Sequence, residues 1–302
     1  MYTSFKELVS SLMEREDKMR LAVSASDDFH TVEAAIYAYN EGVVIPVFVG
    51  DKEITSDILG KMGYDPDKFT IIDEKDGSLS CKRAVSLVRE GKADFLMKGK
   101  IDTSVLLKEV VNKETGLGLG KIMSHVAMFE VPSFPRLVTV VDGGMLTYPD
   151  LEGKKAIIEN TVECLLNMGY KEPKVGVITC VEKLNPKMPE TVDGDLLKKM
   201  NQNGEIKNCI VDGPISFDCA VNKEICKLKG FESPVAGEVD VFLMPNIHTA
   251  NICGKTLLCM AGAKMAGFVA GAKCPVILSS RGASAEEKFY SIVLGAAAAK
   301  RN

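Results

Sequence analysis

Phe95-Leu-Met-Lys-Gly-Lys-Ile-Asp-Thr103 opens as a short apolar run of strand length and passes directly into a helical pattern. Such a junction marks the carboxyl edge of a parallel α/β sheet, which is where open sheets of that class bind ligands. The reading puts Lys98, Gly99, Lys100 and Thr103 at that edge. A glycine between two lysines would let backbone amides approach an anion. A solvated lysine pair is the plainer alternative.

The same alternation extends on both sides. Leu21 to Ser24, Val43 to Val49, Thr70 to Ile72 and Asp94 to Met97 each adjoin an amphipathic segment, which predicts a parallel α/β sheet. A second series contains Arg136 to Val141, Lys174 to Cys180, Asn208 to Val211, Val239 to Met244 and Val276 to Ser279. The architecture is therefore expected twice. Val131-Pro-Ser-Phe-Pro135 lacks two donors and cannot be helical, so the boundary is drawn there: residues 1–133 and 134–283, with a last helix within 284–302 packing back on the first domain. Clefts between domains are preferred ligand sites.

The chain has 302 residues, 46% of them hydrophobic and 26% charged, enough for two cores. A formal charge of -4 gives no general reason to bind nucleic acid, whose backbone demands clustered cations. Nine cysteines form an odd set without a CxxC pair, which favours reduced thiols in a cytoplasm over a disulfide scaffold. Met1 to Arg20 is amphipathic and lacks the apolar core of a secretory signal. Ala261 to Leu278 is broken by Lys264, Gly267, Gly271, Lys273 and Pro275 and fails as a membrane span. A soluble, cytoplasmic protein is expected.

Ser279-Ser-Arg-Gly-Ala-Ser-Ala-Glu-Glu287 is a second strand-to-helix junction. It sets Ser280, Arg281 and Ser284 beside helix-start amides, a phosphate site in outline. Ser284-x-x-Glu287 also fits a capping box, which leaves Arg281 unexplained. Gly116-Leu-Gly-Leu-Gly-Lys121 fits neither the P-loop nor GxGxxG, yet suits a loop close to a ligand, with Lys121 and His125 nearby. The histidines and cysteines show no metal-ligand spacing, so no metal is expected. GxSxG is absent too.

Taken in order, Val181 to Thr191, Val211 to Val221, Ala236 to Lys255 and the Ser280-Arg281 turn resemble the phosphate acetyl/butyryltransferase family along nearly the whole chain. Asn185 to Thr191 and Ser124-His-Val126 look like its butyryl branch, and the arginine-bearing helix of the acetyl branch is not found. The resemblance implies the fold of the isocitrate and isopropylmalate dehydrogenase superfamily, two α/β domains flanking a cleft, dimerised through the second. It implies transfer of a butyryl-type acyl group between coenzyme A and inorganic phosphate, with acyl-CoA a substrate and no cofactor. Phosphate acetyltransferase is the alternative, and a nicotinamide-dependent dehydrogenase of the same superfold a more distant one.

In that picture Arg281, Ser280 and helix amides hold phosphate, and Ser280 or a backbone N–H of its turn serves the oxyanion. Lys98, Gly99, Thr103, His125 and Ser284 contact substrate. The family's acetyl branch has an aspartate where Glu287 stands; Glu287 and its neighbour Glu286 are both candidates for general base. Asp142, Asp212, Asn251 and Lys255 are expected to line the cleft. A homodimer or higher homo-oligomer is the implied assembly.

Overall fold

A computed structural model describes residues 1–279 and 282–300. In chain order the elements are α1 (Phe5–Met13), β1 (Met19–Ser24), α2 (Phe29–Asn40), β2 (Val44–Gly50), α3 (Lys52–Lys61), β3 (Thr70–Asp73), α4 (Gly77–Arg89), β4 (Phe95–Lys98) and α5 (Thr103–Val110). Then follow β5 (Ser124–Glu130), β6 (Val138–Val141), α6 (Leu151–Asn167), β7 (Lys174–Thr179), α7 (Pro189–Gln202), β8 (Ile210–Ser216), α8 (Phe217–Val221) and α9 (Lys223–Leu228). The last are β9 (Val241–Leu243), α10 (Ile247–Ala261), β10 (Lys264–Ala270), β11 (Val276–Ile277) and α11 (Ala285–Ala298). The chain is an α/β protein of two compact units, Ser4–Lys121 with Ala266–Asn302, and Met1–Thr3 with Ile122–Met265. The first is called the N-terminal unit below, the second the central unit. These divisions fall at 121/122 and 265/266 rather than at 133/134 and 283/284. The proline pair at 132 and 135 lies in the connection between β5 and β6, two strands of one antiparallel pair, so the expected boundary cuts a hairpin.

In the N-terminal unit the strands run β3-β2-β1-β4-β11-β10. The first five are parallel, with Val23 opposite both Phe48 and Met97, and Ile277 beside Met97; β10 is antiparallel, Val269 facing Val276. Because the chain goes from β1 outward to β2 and β3 and then returns to place β4 on the other side of β1, the connections diverge between β1 and β4. A crevice opens at such a switch point. Helix α1 buries Phe5, Leu8, Val9 and Leu12, an i, i+3, i+4, i+7 stripe. Phe5 stacks on Tyr290 of α11 with ring centroids 4.6 Å apart. Helix α11 is buried on nearly every face beyond its first turn, which accounts for the alanine-rich run at its end: small side chains let it seat against the sheet.

In the central unit the order is β5-β6-β9-β7-β8. Met128 faces Thr139 in an antiparallel pair, and the others are parallel. Its core joins Phe129, Val140, Ile215, Val239 and Phe242. Each unit thus contains an antiparallel pair where an all-parallel arrangement was expected, and β5 and β10 are the two strands the sequence pattern did not single out. Among the described residues, no helix is long and apolar enough to cross a membrane.

Candidate functional site

The crevice between β1 and β4 is formed by two backbone turns pressed together. Gly99 N–H donates to Ser24 O at 2.8 Å and Lys100 N–H to Ala25 O at 3.1 Å. A Cβ on Gly99 would come within 2.1 Å of Ala25 O and 2.5 Å of Ser24 O, so no other residue fits. Its amide is already engaged, and its glycine identity serves this packing rather than an open approach to an anion. Lys98, the last residue of β4, is buried, and its Nζ donates to Ile101 O at 2.8 Å and Gly99 O at 3.2 Å. The ammonium thereby clamps the turn that it begins.

A cavity of about 680 Å³ opens there, lined by Asp28, His30, Thr31, Lys98, Gly99, Lys100, Ile101, Asp102, Ser279 and Lys288. Thr103, the first residue of α5, is exposed beside it; Asp102, the residue before it, reaches the lining instead. Asp28 caps α2, accepting from Thr31 N–H at 3.0 Å and Thr31 Oγ1 at 2.6 Å. Burial by itself would raise its pKa, but the Thr31 hydroxyl and amide and the charge of Lys288 hold the carboxyl below its ordinary value.

Around the second junction, Ser280 and Arg281 lie outside the described residues. Ser284 caps α11, its Oγ accepting from Glu287 N–H at 3.1 Å, which is the serine arm of the expected capping box. Glu286 lines a different cavity, of about 330 Å³, with Glu33, Tyr37, Phe289 and Tyr290. Glu287 lines neither.

The central unit gathers a second group of expected residues. The Asp142 carboxylate, 2% exposed, accepts four backbone N–H groups: Gly144 at 2.8 Å and Met145 at 2.9 Å on one oxygen, His125 at 3.0 Å and Leu146 at 3.2 Å on the other. It is consumed in shaping the loop after β6. The His125 ring packs on Gly144, where a Cβ would lie 3.0 Å from its Cγ. Burial lowers the pKa of this imidazole and the Asp142 charge opposes the shift; its Nδ1 is buried without a hydrogen-bond partner among the described residues. Asn251 on α10 donates to Gly143 O at 3.2 Å, tying the same loop to the helix, and Lys255 is exposed one turn further on. Asp212 stands apart: it is buried on β8 in an ion pair with Lys198 of α7 at 2.7 Å, a structural use that differs from lining a cleft.

The glycine-rich loop has mixed roles. A Cβ on Gly116 would meet Asn112 O and Val110 O at 2.4 Å, whereas Gly118 and Gly120 have open space. Thr191 closes the loop before α7, accepting from Asn185 N–H at 2.9 Å and donating to Met188 O at 2.8 Å. Among the described residues, Glu182, Asp218 and Cys219 stand close enough to hold a metal ion. Lys229 already serves that cluster as its cation, with Nζ 2.7 Å from Glu182 and 2.9 Å from Asp218.

Residues 78–296 match the family described as Phosphate acetyl/butaryl transferase. A phosphate butyryltransferase of Clostridium acetobutylicum is 42% identical over 296 residues, covering 98% of each chain. The chain belongs to the phosphate acetyl/butyryltransferase family. A phosphate acetyltransferase of Thermotoga maritima is 44% identical over 287 residues, 94% of this chain and 96% of that protein. The crystal structure of a branched-chain phosphotransacylase from Enterococcus faecalis V583 superposes with a TM-score of 0.82 at 28% identity, covering 92% of this chain and 98% of that one.

Several residues at these sites were not singled out from the sequence, among them Asp28, Thr31 and Asp102 of the N-terminal unit's cavity. Ser279 and Lys288 line the same cavity, and Tyr148 pairs with His248 at 3.0 Å beside the Asp142 loop. Lys288 had a signal. A lysine at the start of a helix opposes the macrodipole, so its place directly after Glu286-Glu287 needed a cause outside the helix.

Proposed function

We propose that the chain is a phosphate acyltransferase that reversibly transfers a butyryl-type acyl group between coenzyme A and inorganic phosphate. The near-full-length similarity to the phosphate butyryltransferase of Clostridium acetobutylicum carries this reading. The lysine-lined cavity at the β1/β4 switch point supports it, because phosphate and the coenzyme's phosphates need cations.

A thioester is already activated, so holding phosphate in line with its carbonyl supplies much of the rate enhancement. In this reading Arg281 and Ser280 bind phosphate, with Ser280 or a backbone N–H of its turn stabilising the oxyanion. Phosphate oxygen attacks the carbonyl carbon, the C–S bond breaks, and the thiolate leaves and takes up a proton. In reverse, a carboxylate takes the thiol proton as sulfur attacks the carbonyl carbon of the acyl phosphate, and the acyl C–O bond breaks to release inorganic phosphate. Glu287 is the preferred base, since Glu286 lines the separate aromatic cavity. His125 is proposed to contact substrate through its buried, unpartnered Nδ1, and Asn251 and Lys255 to border that site.

The finer fold reading, an isocitrate/isopropylmalate dehydrogenase-like pair of domains about a cleft, belongs to this proposal, as do dimerisation through the second domain, drawn as residues 134–283, and a cytoplasmic location. Nine free thiols support a reducing compartment. The acetyl alternative is favoured by the 44% identity to the Thermotoga maritima phosphate acetyltransferase. Thiol release from a series of acyl-CoAs with phosphate separates the two. Higher kcat/KM for butyryl-CoA than for acetyl-CoA, by roughly tenfold as expected for added methylenes in an apolar pocket, supports the butyryl reading; equal or better rates with acetyl-CoA sink it.

A further inference from the structure

We propose that Lys288 and Ser279 form an anion subsite in the N-terminal unit's cavity, binding a phosphoryl oxygen of a substrate; this rests on the acyltransferase reading above. Lys288 is 8% exposed and lines the cavity. Its Nζ stands 3.7 Å from Asp28 Oδ2, close enough for charge pairing but too long for a hydrogen bond. The Asp28 oxygen is meanwhile committed to Thr31 by two shorter bonds. Lys98, the other buried ammonium of this cavity, has carbonyl acceptors in its own turn.

Ser279 supplies an independent observation. Its Oγ is buried with no hydrogen-bond partner among the described residues, and the residue lines the same cavity. A buried donor left without an acceptor is costly, and the Ser279 hydroxyl borders the same space as an ammonium whose carboxylate partner stands 3.7 Å away. A phosphoryl oxygen answers both, accepting from each and supplying the negative charge that Asp28 neutralises only at a distance. Asp28 then acts as the positioning residue that holds Lys288 in place.

The test is Lys288→Met, which keeps the length of the side chain and removes its charge, beside Lys288→Arg, Ser279→Ala and the double variant Lys288→Met/Asp28→Asn. Two readouts are taken on the full chain: KM for phosphate and for butyryl-CoA, and the rise in Tm caused by inorganic phosphate or by coenzyme A without turnover. Expected for Lys288→Met is a roughly 10- to 100-fold rise in KM for one substrate with loss of thermal protection by it, and a smaller rise for Ser279→Ala. Lys288→Arg should recover part of the effect. A rise confined to phosphate identifies that ion; a rise confined to the coenzyme identifies its diphosphate or phosphate ester. Unchanged KM values and undiminished protection in Lys288→Met overturn the subsite. So does a loss of stability in that variant which the double variant restores with both KM values normal, because the ion pair would then be structural only. If wild type fails to turn over butyryl-CoA, the functional reading falls, while thermal protection still decides the role of Lys288.

Discussion

The backbone amide of His125 donates to the Asp142 carboxylate at 3.0 Å, onto the same oxygen that receives Leu146 N–H. One side chain therefore fixes the start of β5 against the loop that follows β6. With all four of its bonds made to backbone amides, Asp142 positions this group of residues.

Replacing Asp142 by alanine should leave those amides without acceptors in a site that is itself buried. Hydrogen bonds to charged groups contribute about 1.5 to 3 kcal/mol each, though not additively. The expected loss is on the order of 3 kcal/mol or more, read from the denaturant midpoint. A change below about 0.5 kcal/mol would show that the loop holds without it.

His125 should make stability fall on acidification. Burial depresses its native pKa against the opposing charge of Asp142, so the unfolded chain binds the proton first as pH drops through the ordinary histidine value near 6.5. The unfolded state then carries more protons than the native one, and stability declines from neutral pH toward pH 5. His125→Gln should flatten that part of the profile relative to wild type. Parallel profiles for the two proteins would contradict a depressed native pKa.

Glu287→Gln separates capping from proton transfer, since glutamine serves a capping box equally well. If Glu287 is the base, Tm should hold while kcat falls roughly 100-fold or more. Glu286→Gln, made in parallel, should keep most of its activity, because Glu286 lines the other cavity. A dead Glu286→Gln enzyme beside a normal Glu287→Gln one would move the base by one residue. Full speed in both would remove carboxylate catalysis at this helix.

Much of the fold was legible because parallel strands buried on both faces read as apolar runs, as Phe95 to Met97 does. Strand β10, Lys264-Met-Ala-Gly-Phe-Val-Ala270, was not: alanine and glycine blur its pattern, and its pairing is antiparallel. Site residues on strand-to-helix junctions could be named, since the junction places them at a sheet edge. Their roles depended on distant partners. Gly99 suggested an anion loop, yet it is set by the Ser24 and Ala25 carbonyls. Asp142 suggested a cleft wall, yet its bonds go to the backbone around it. No local pattern joins Lys288 to Asp28 across the length of the unit.

The most direct measurement of the central claim is phosphorus NMR of the purified protein with butyryl-CoA and inorganic phosphate. Acyl transfer predicts a butyryl phosphate resonance that grows in step with free thiol, one for one, and that is consumed again when excess coenzyme A is added. Free thiol accompanied by butyrate and no acyl phosphate, or no reaction under these conditions, would contradict it.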